Sequence, residues 1–378
     1  MNKRPSFVNF PIPFDHPYTI PTLLATVSAS ALLYYSLQAS HKRDLKEAIR
    51  QQVIYKRRHL KRKEDKFASL KIEKQYVNPF KEWNANVPLW EYILYWLGIG
   101  RHDYSAKDLE RLHVIRPNLD KLVEKNVSFI WLGQSTCLFS LDGLTILTDP
   151  VLDHKKRAKP CPCQIEDLMG VVDIVLVSHN HFDHLDENVV KGLGNKVTWY
   201  IPLGLREWFV KRGVDNVIEL DWWQEIHHKD RPDILIACVP AMHSSCSFWD
   251  KDESLWCSFV VKSKQHKLFF CGDTGYVPEL FQSIRDLYAP FTIAALPIGT
   301  YEPPSIFKSL HMNPTEAIQA HHDLGSPCIS IGIHWGTFHL SNESYLSPPE
   351  LLARLWAAQN TNGSQFITTS LGQLIDIE

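Results

Sequence analysis

From residue 126 onward, short apolar runs alternate with polar turns. Runs rich in β-branched and aromatic residues, bounded by turn residues, predict strands. They fall at 127–132, 138–147, 172–178, 197–201, 234–239, 258–261, 268–271, 293–297 and 329–333. Stretches with helical spacing lie between them, at 188–193, 204–212, 278–287, 314–324 and 348–359. Strands interleaved with helices predict a layered α/β body rather than an all-β one. No internal repeat stands out.

The N-terminal part reads differently. Tyr18 to Leu37 is 20 residues without a charge, about the length that crosses ~30 Å of hydrocarbon. Tyr34 and Tyr35 lie near its end, where an interfacial aromatic belt would sit. We read it as a membrane anchor. The leader before it carries Lys3 and Arg4 and no acid before Asp15, a composition compatible with mitochondrial import. Residues 41–66 predict a basic helix, with 11 Lys and Arg against 4 Asp and Glu. Such a helix attracts anionic headgroups, at roughly 1 kcal/mol per basic residue near the surface. Residues 76–100 form an aromatic connector with Tyr76, Phe80, Trp83, Trp90, Tyr92, Tyr95 and Trp96. It either packs on the body or touches a bilayer. Three segments follow: a leader with its anchor at 1–40, a basic helical linker at 41–75, and a folded domain at 76–378.

Net charge is only −2. The basic surplus sits in residues 41–66, so the remainder is acidic, and no nucleic-acid partner is expected. Eight cysteines are scattered along the chain, with only Cys161 and Cys163 close together. A chain this long needs no disulfide staples, so they read mostly as reduced core residues.

The chemistry concentrates in His179-Asn180-His181-Phe182-Asp183-His184. This segment follows an apolar run, at a strand end where α/β layers place their sites. His179 and His181 are two apart, so in extended chain both imidazoles point to one side. Asp183 and His184 are adjacent and can serve a second position. Mixed nitrogen and oxygen ligands suit Zn²⁺.

This HxHxDH segment after an apolar strand resembles the metallo-β-lactamase superfamily. The resemblance implies an αββα sandwich carrying metals at the sheet edge. It also expects a later His, a later Asp and a final His after further strands, and the chain supplies His243, Asp273 and His334. The implied division is His179, His181 and His243 on one zinc, Asp183, His184 and His334 on a second, and Asp273 bridging. Asp149 is implied as support for a ligand histidine.

Further stretches narrow the likeness: Tyr76-Val77-Asn78-Pro79-Phe80, Trp131-Leu132-Gly133-Gln134-Ser135-Thr136, Gly299-Thr300-Tyr301-Glu302-Pro303, His311-Met312-Asn313-Pro314 and Ile333-His334-Trp335-Gly336-Thr337-Phe338. Together they resemble the N-acylphosphatidylethanolamine-hydrolysing phospholipase D family over about residues 76–345. The resemblance implies a phosphodiesterase that releases N-acylethanolamine and phosphatidic acid. It gives catalytic roles to Asp183, Asp273 and His311, and substrate contacts to Phe182, His311 and Gln134. Phe182 stands where the mammalian member has a substrate-contacting tyrosine. Implied partners are a phospholipid and a membrane surface with anionic lipids, in the mitochondrial inner membrane or another endomembrane. A homodimer stays open.

Two other readings share parts of this pattern. A lactonase or nuclease of the same superfamily shares the ligand set, but a nuclease needs a basic face on the body. A non-enzymatic scaffold needs only four closed ligands around a structural zinc, fewer than this chain carries.

Overall fold

The computed structural model describes residues 17–84, 87–100, 106–245, 252–359 and 363–377. A small hairpin of β1 (Lys71–Ile72) and β2 (Gln75–Tyr76) comes first. Two seven-stranded sheets follow. The first holds β3 (Val127–Gly133), β4 (Thr136–Leu141), β5 (Leu144–Thr148), β6 (Ile174–Leu176), β7 (Thr198–Pro202) and β8 (Val217–Leu220). The second holds β9 (Glu225–His228), β10 (Arg231–Val239), β11 (Ser258–Lys262), β12 (Lys267–Phe270), β13 (Ile293–Pro297), β14 (Ile329–Ile333) and β15 (Gln365–Ile367). The chain then returns, and β16 (Leu374–Asp376) pairs with β3 in the first sheet.

Each sheet has three antiparallel pairs followed by three parallel ones. Parallel pairs require crossovers, and these carry the helices Glu187–Leu193, Pro278–Tyr288 and Pro314–Asp323. Period-two alternation fills two cores. Phe129 and Trp131 of β3 join a core shared with strands of the second sheet, whereas Ile130 and Leu132 face a second core containing Val189 and Val190 of the first crossover helix. Both faces are therefore apolar, as in other sheets covered on both sides. The fold is the αββα sandwich of the metallo-β-lactamase class.

Several strand bounds differ from the sequence expectation. The run 138–147 is two strands, not one. It turns at Asp142-Gly143, with φ of 49° and 80°, the left-handed pair that an Asp-Gly hairpin turn adopts. The edge strands β8, β9, β15 and β16 were not expected, because their polar residues dilute the apolar pattern.

α1 (Thr19–Arg57) runs unbroken through residue 40, joining the uncharged stretch to the basic one. Among the described residues it is the one helix long and apolar enough to cross a membrane, and Leu24, Val27, Leu32, Leu33 and Leu37 are exposed on it. The chain divides into compact units at Tyr55 and Lys56, so the body begins before residue 76. The reason is packing after α2 (Lys63–Lys66). Trp223 Nε1 donates to the Phe67 carbonyl at 3.2 Å, and Ser69 Oγ donates to Asp221 Oδ2 at 3.0 Å. The aromatic connector splits its two roles. Tyr76 and Phe80 are buried in the core, whereas α3 (Leu89–Trp96) leaves Leu89, Trp90, Ile93 and Trp96 exposed.

Candidate metal centre

Each residue of the cluster lies just past a strand of the sandwich. Asp149 follows β5, His179 to His184 follow β6, His243 follows β10, Asp273 follows β12, Thr300 follows β13 and His334 follows β14. Pairing of the strands brings these loops to one edge. The ligand atoms of His179, His181 and His243 lie within 4.8 Å of one another, as do those of Asp183, His184 and His334. Asp273 reaches both groups. Its Oδ2 is 3.0 Å from His184 Nε2, 3.1 Å from His334 Nε2, 3.7 Å from His243 Nε2 and 3.8 Å from His179 Nε2.

A second set of contacts fixes which ring nitrogen each histidine presents. Asp149 is fully buried. Its Oδ2 sits 2.6 Å from His184 Nδ1 and accepts from Ser178 Oγ at 2.6 Å, while its Oδ1 accepts from Ser178 N at 2.6 Å. With its own hydrogen given to Asp149, Ser178 Oγ accepts from His179 Nδ1 at 2.9 Å. His243 Nδ1 donates to the Leu310 carbonyl at 3.0 Å, and His334 Nδ1 faces Thr300 Oγ1 at 3.3 Å. The Nε2 atoms of His179, His184 and His243 are thereby left to the cluster, while His181 turns its Nδ1 toward His179 Nε2, 2.9 Å away. Backbone at Asp149, Gln134, Thr300 and His334 has positive φ, a concentration of strain typical of functional sites.

Charge follows geometry. Burial, with the neighbouring imidazoles His184 and His181, holds His179 well below the usual imidazole range, and burial does the same to His243. Both therefore present neutral nitrogen, the form that ligates metal. Burial also opposes charge on His184, but Asp273, Asp183 and Asp149 outweigh it and hold this imidazole well above its usual range. Burial pushes the Asp273 carboxyl up, and His184, His334 and His311 overcome that and hold it well below.

A cation fits this donor set. His184 Nε2 and Asp273 Oδ1 are buried without a hydrogen-bond partner, a costly state unless something else is bound there. Among the described residues, every group of three or more metal-capable side chains lies in this cluster.

Two placements modify the sequence reading. Gln134, expected to contact substrate, is 1% exposed. Its Nε2 donates to Asp183 Oδ2 at 2.7 Å and lies 2.7 Å from His334 Nε2. The left-handed turn after β3 (φ 52° at Gln134) puts it behind the cluster, where it orients Asp183. His311 is buried beside the cluster, its Nδ1 3.8 Å from Asp273 Oδ2. Phe182 is exposed at the mouth, against His154 and Phe338 with Lys156 Nζ over its ring. Ser178 and Thr300 escaped the sequence reading, since nothing in their local sequence marks a hydroxyl that holds a distant histidine.

Asp149→Ala should weaken metal binding by about 10–100-fold, the usual scale for a group that orients a ligand. Competition with a chromogenic chelator measures this, and an unchanged affinity removes that role from Asp149.

The cluster forms the floor of a cleft of about 930 Å³, walled in part by Tyr95, Leu185, Leu205, Phe307, Leu310 and Leu340. The sequence profile of the beta-lactamase superfamily domain matches residues 145–335, just over half of the chain. An N-acyl-phosphatidylethanolamine-hydrolyzing phospholipase D 1 from Caenorhabditis elegans is 36% identical over 272 residues, 66% of this chain and 76% of the relative. A mitochondrial N-acyl-phosphatidylethanolamine-hydrolyzing phospholipase D from Saccharomyces cerevisiae is 39% identical over 271 residues, 66% of this chain but only 56% of the relative's length. The metallo hydrolase Igni18 from Ignicoccus hospitalis shares the fold at TM-score 0.53 and 21% identity, over 66% of this chain and 97% of its own. The chain belongs to the beta-lactamase superfamily and, within it, to the N-acylphosphatidylethanolamine-hydrolysing phospholipase D family. It is a metal-dependent hydrolase of the phospholipase D type.

Proposed function

We propose that the chain hydrolyses N-acylphosphatidylethanolamine at the phosphodiester bond, giving N-acylethanolamine and phosphatidic acid. The carrying observation is the cleft, which joins a histidine and carboxylate floor to walls that are largely apolar, with Glu207, Lys211, Arg212 and Glu253 also in the lining. A phosphodiester between two hydrophobic arms matches that division. Two zinc ions are the proposed cofactors, with His179, His181 and His243 holding one, Asp183, His184 and His334 the other, and Asp273 shared. Bound there, the metals supply Lewis-acid stabilisation of phosphoryl charge and an acidified water.

The chain's own groups then position and exclude. His311 lines the cleft, and burial keeps its imidazole neutral, down to about 3 despite the Asp273 carboxylate. A neutral imidazole N–H there is placed to donate a hydrogen bond to a phosphate oxygen as charge develops on it. Leu185, Leu205, Phe307, Leu310 and Leu340 shed water from the walls. Phe182 offers a ring but no hydroxyl at the mouth, so headgroup contact there is by packing. Dialysis against a chelator should abolish turnover, and two equivalents of zinc per chain should restore it. Full recovery at one equivalent contradicts the shared Asp273 arrangement.

The substrate stays in a bilayer in this account. α3 is the proposed seat, since its Tyr95 lines the cleft while Trp90 and Trp96 are exposed. The apolar stretch of α1 supports an anchor in a membrane, proposed as the mitochondrial inner membrane. Replacing both Trp90 and Trp96 with Asp should cut turnover on vesicles at least about tenfold, as each ring carries about 150–250 Å² of buriable surface. Turnover on detergent-dispersed lipid should hold. Equal losses in both assays point instead to damage in the cleft.

A further inference from the structure

Cys161-Pro162-Cys163 takes no part in the metal cluster, yet it is built into a cleft of its own. That cleft, about 540 Å³, is lined by both cysteines with Leu152, His154, Arg157 and Ile165 among others. The two cysteines lie two residues apart and line the same cleft. Cys161 is half-buried and Cys163 buried. Another neighbouring pair, Cys238 and Cys257, lies wholly inside the core, where burial pushes the Cys257 thiol up. Of the two pairs, only the first opens on a cleft.

The segment is also tied to the metal cluster by a short chain of contacts. Arg157 donates from Nη2 to the Leu132 carbonyl at 2.6 Å, from Nη1 to Val151 O at 2.8 Å and from Nε to Lys159 O at 3.3 Å. The Cys161 thiol reaches the same Leu132 carbonyl, at 3.8 Å. Two residues on, Gln134 donates to Asp183. Its backbone N–H goes to Thr337 Oγ1 at 2.6 Å, and the Thr337 carbonyl accepts from Ala158 N at 2.8 Å. At Gly133 (φ +115°) a Cβ would lie 2.5 Å from Arg157 Nη2, so the cysteine segment, Arg157 and the Gln134 turn are packed without slack.

We propose that Cys161 and Cys163 form a hydroperoxide-reactive dithiol that closes to a disulfide and thereby lowers turnover at the metal site. The effect on turnover rests on the hydrolase reading above, whereas the disulfide does not. Cys161 is the attacking sulfur. The Cys163 side chain, foremost, and the Arg157 guanidinium outweigh burial and bring its thiol down to about 7, and the thiolate is the reactive form. The Cys161 thiolate attacks one peroxide oxygen, the O–O bond breaks, and the other oxygen leaves as an alcohol or water after taking up a proton. Cys161 becomes a sulfenic acid. The Cys163 sulfur then attacks it and water leaves. Two thiols are oxidised by two electrons and one hydroperoxide is reduced. Closure removes the Cys161 hydrogen from Leu132 O and draws on the Lys159 carbonyl that Arg157 holds, which shifts Gln134 against Asp183.

The test uses the full-length, reduced, metal-loaded protein at neutral pH with a slight excess of hydrogen peroxide. After alkylation and peptide mapping, the peptide holding Cys161 and Cys163 should have lost two hydrogen atoms while the exposed Cys328 stays open to alkylation. Turnover should fall by about tenfold, the lower end of the effects of disturbing a group that orients a metal ligand. Dithiothreitol should reverse both changes. Cys163→Ser protein should stop at a Cys161 sulfenic acid that dimedone captures, and Cys161→Ser protein should show neither product. Oxidation of Cys328 ahead of Cys161 overturns the proposal. So does a parent-protein sulfenic acid that never closes, or full turnover with the disulfide in place. Peptide mapping is independent of the lipid assay, so a protein that forms the bond but never cleaves the lipid counts against the hydrolase reading alone.

Discussion

Asp273→Asn should lower turnover by roughly 10³-fold or more while the protein still melts cooperatively. The metal contribution to phosphoryl transfer is several kcal/mol, and each ~1.4 kcal/mol is a factor of ten. Asp273 is the carboxylate that reaches both histidine groups, from 3.0 Å at His184 to 3.8 Å at His179. An amide keeps the shape but loses the charge, and it can turn N–H donors toward imidazole nitrogens. Those nitrogens are held as acceptors by Ser178 and Leu310 on their far sides. Metal analysis of the variant should show less than the parental complement. Turnover within about threefold of the parent, a cost under ~1 kcal/mol, removes Asp273 from the shared position.

His311→Ala should keep the full metal complement and lose activity by about 10²–10³-fold, the scale of removing one hydrogen-bond donor from developing charge. The structure sharpens this test. His311 Nδ1 is buried without a hydrogen-bond partner and belongs to a metal-capable group with His243 and Asp273. Its position therefore permits a ligand as well as a substrate contact. Its segment does not directly follow a strand. It enters from the short helix Pro304–Phe307, with His311 N donating to Phe307 O at 2.8 Å. Turnover with metal content measured on the same sample separates the roles. Loss of one metal equivalent makes His311 a ligand, and unchanged turnover makes it part of the wall.

How much of this was legible in sequence depended on distance along the chain. His179 to His184 could be grouped because they share one loop after one strand. His243, Asp273 and His334 could be named only because each follows an apolar run and the family resemblance ordered them. What the sequence hid is what strand pairing creates. Ser178 looked like the last residue of a strand, yet it links Asp149 to His179. The resemblance implies a substrate contact for Gln134, and its left-handed backbone instead aims the amide at Asp183. The β4–β5 hairpin was hidden because both faces of these strands are buried. The period-two signal then vanishes, and only the Asp142-Gly143 turn marks the reversal. The aromatic connector read as one segment because composition cannot tell Phe80, which stacks on Phe67 in the core, from Trp96, which is 81% exposed.

The most direct measurement is lipid mass spectrometry after incubating the purified, zinc-loaded protein with N-acylphosphatidylethanolamine in oxygen-labelled water. The account predicts N-acylethanolamine and phosphatidic acid in equal amounts, with the label in phosphatidic acid, because the water attacks phosphorus. Intact substrate contradicts the account, as does release of free fatty acid from a carboxylic ester or label in the N-acylethanolamine.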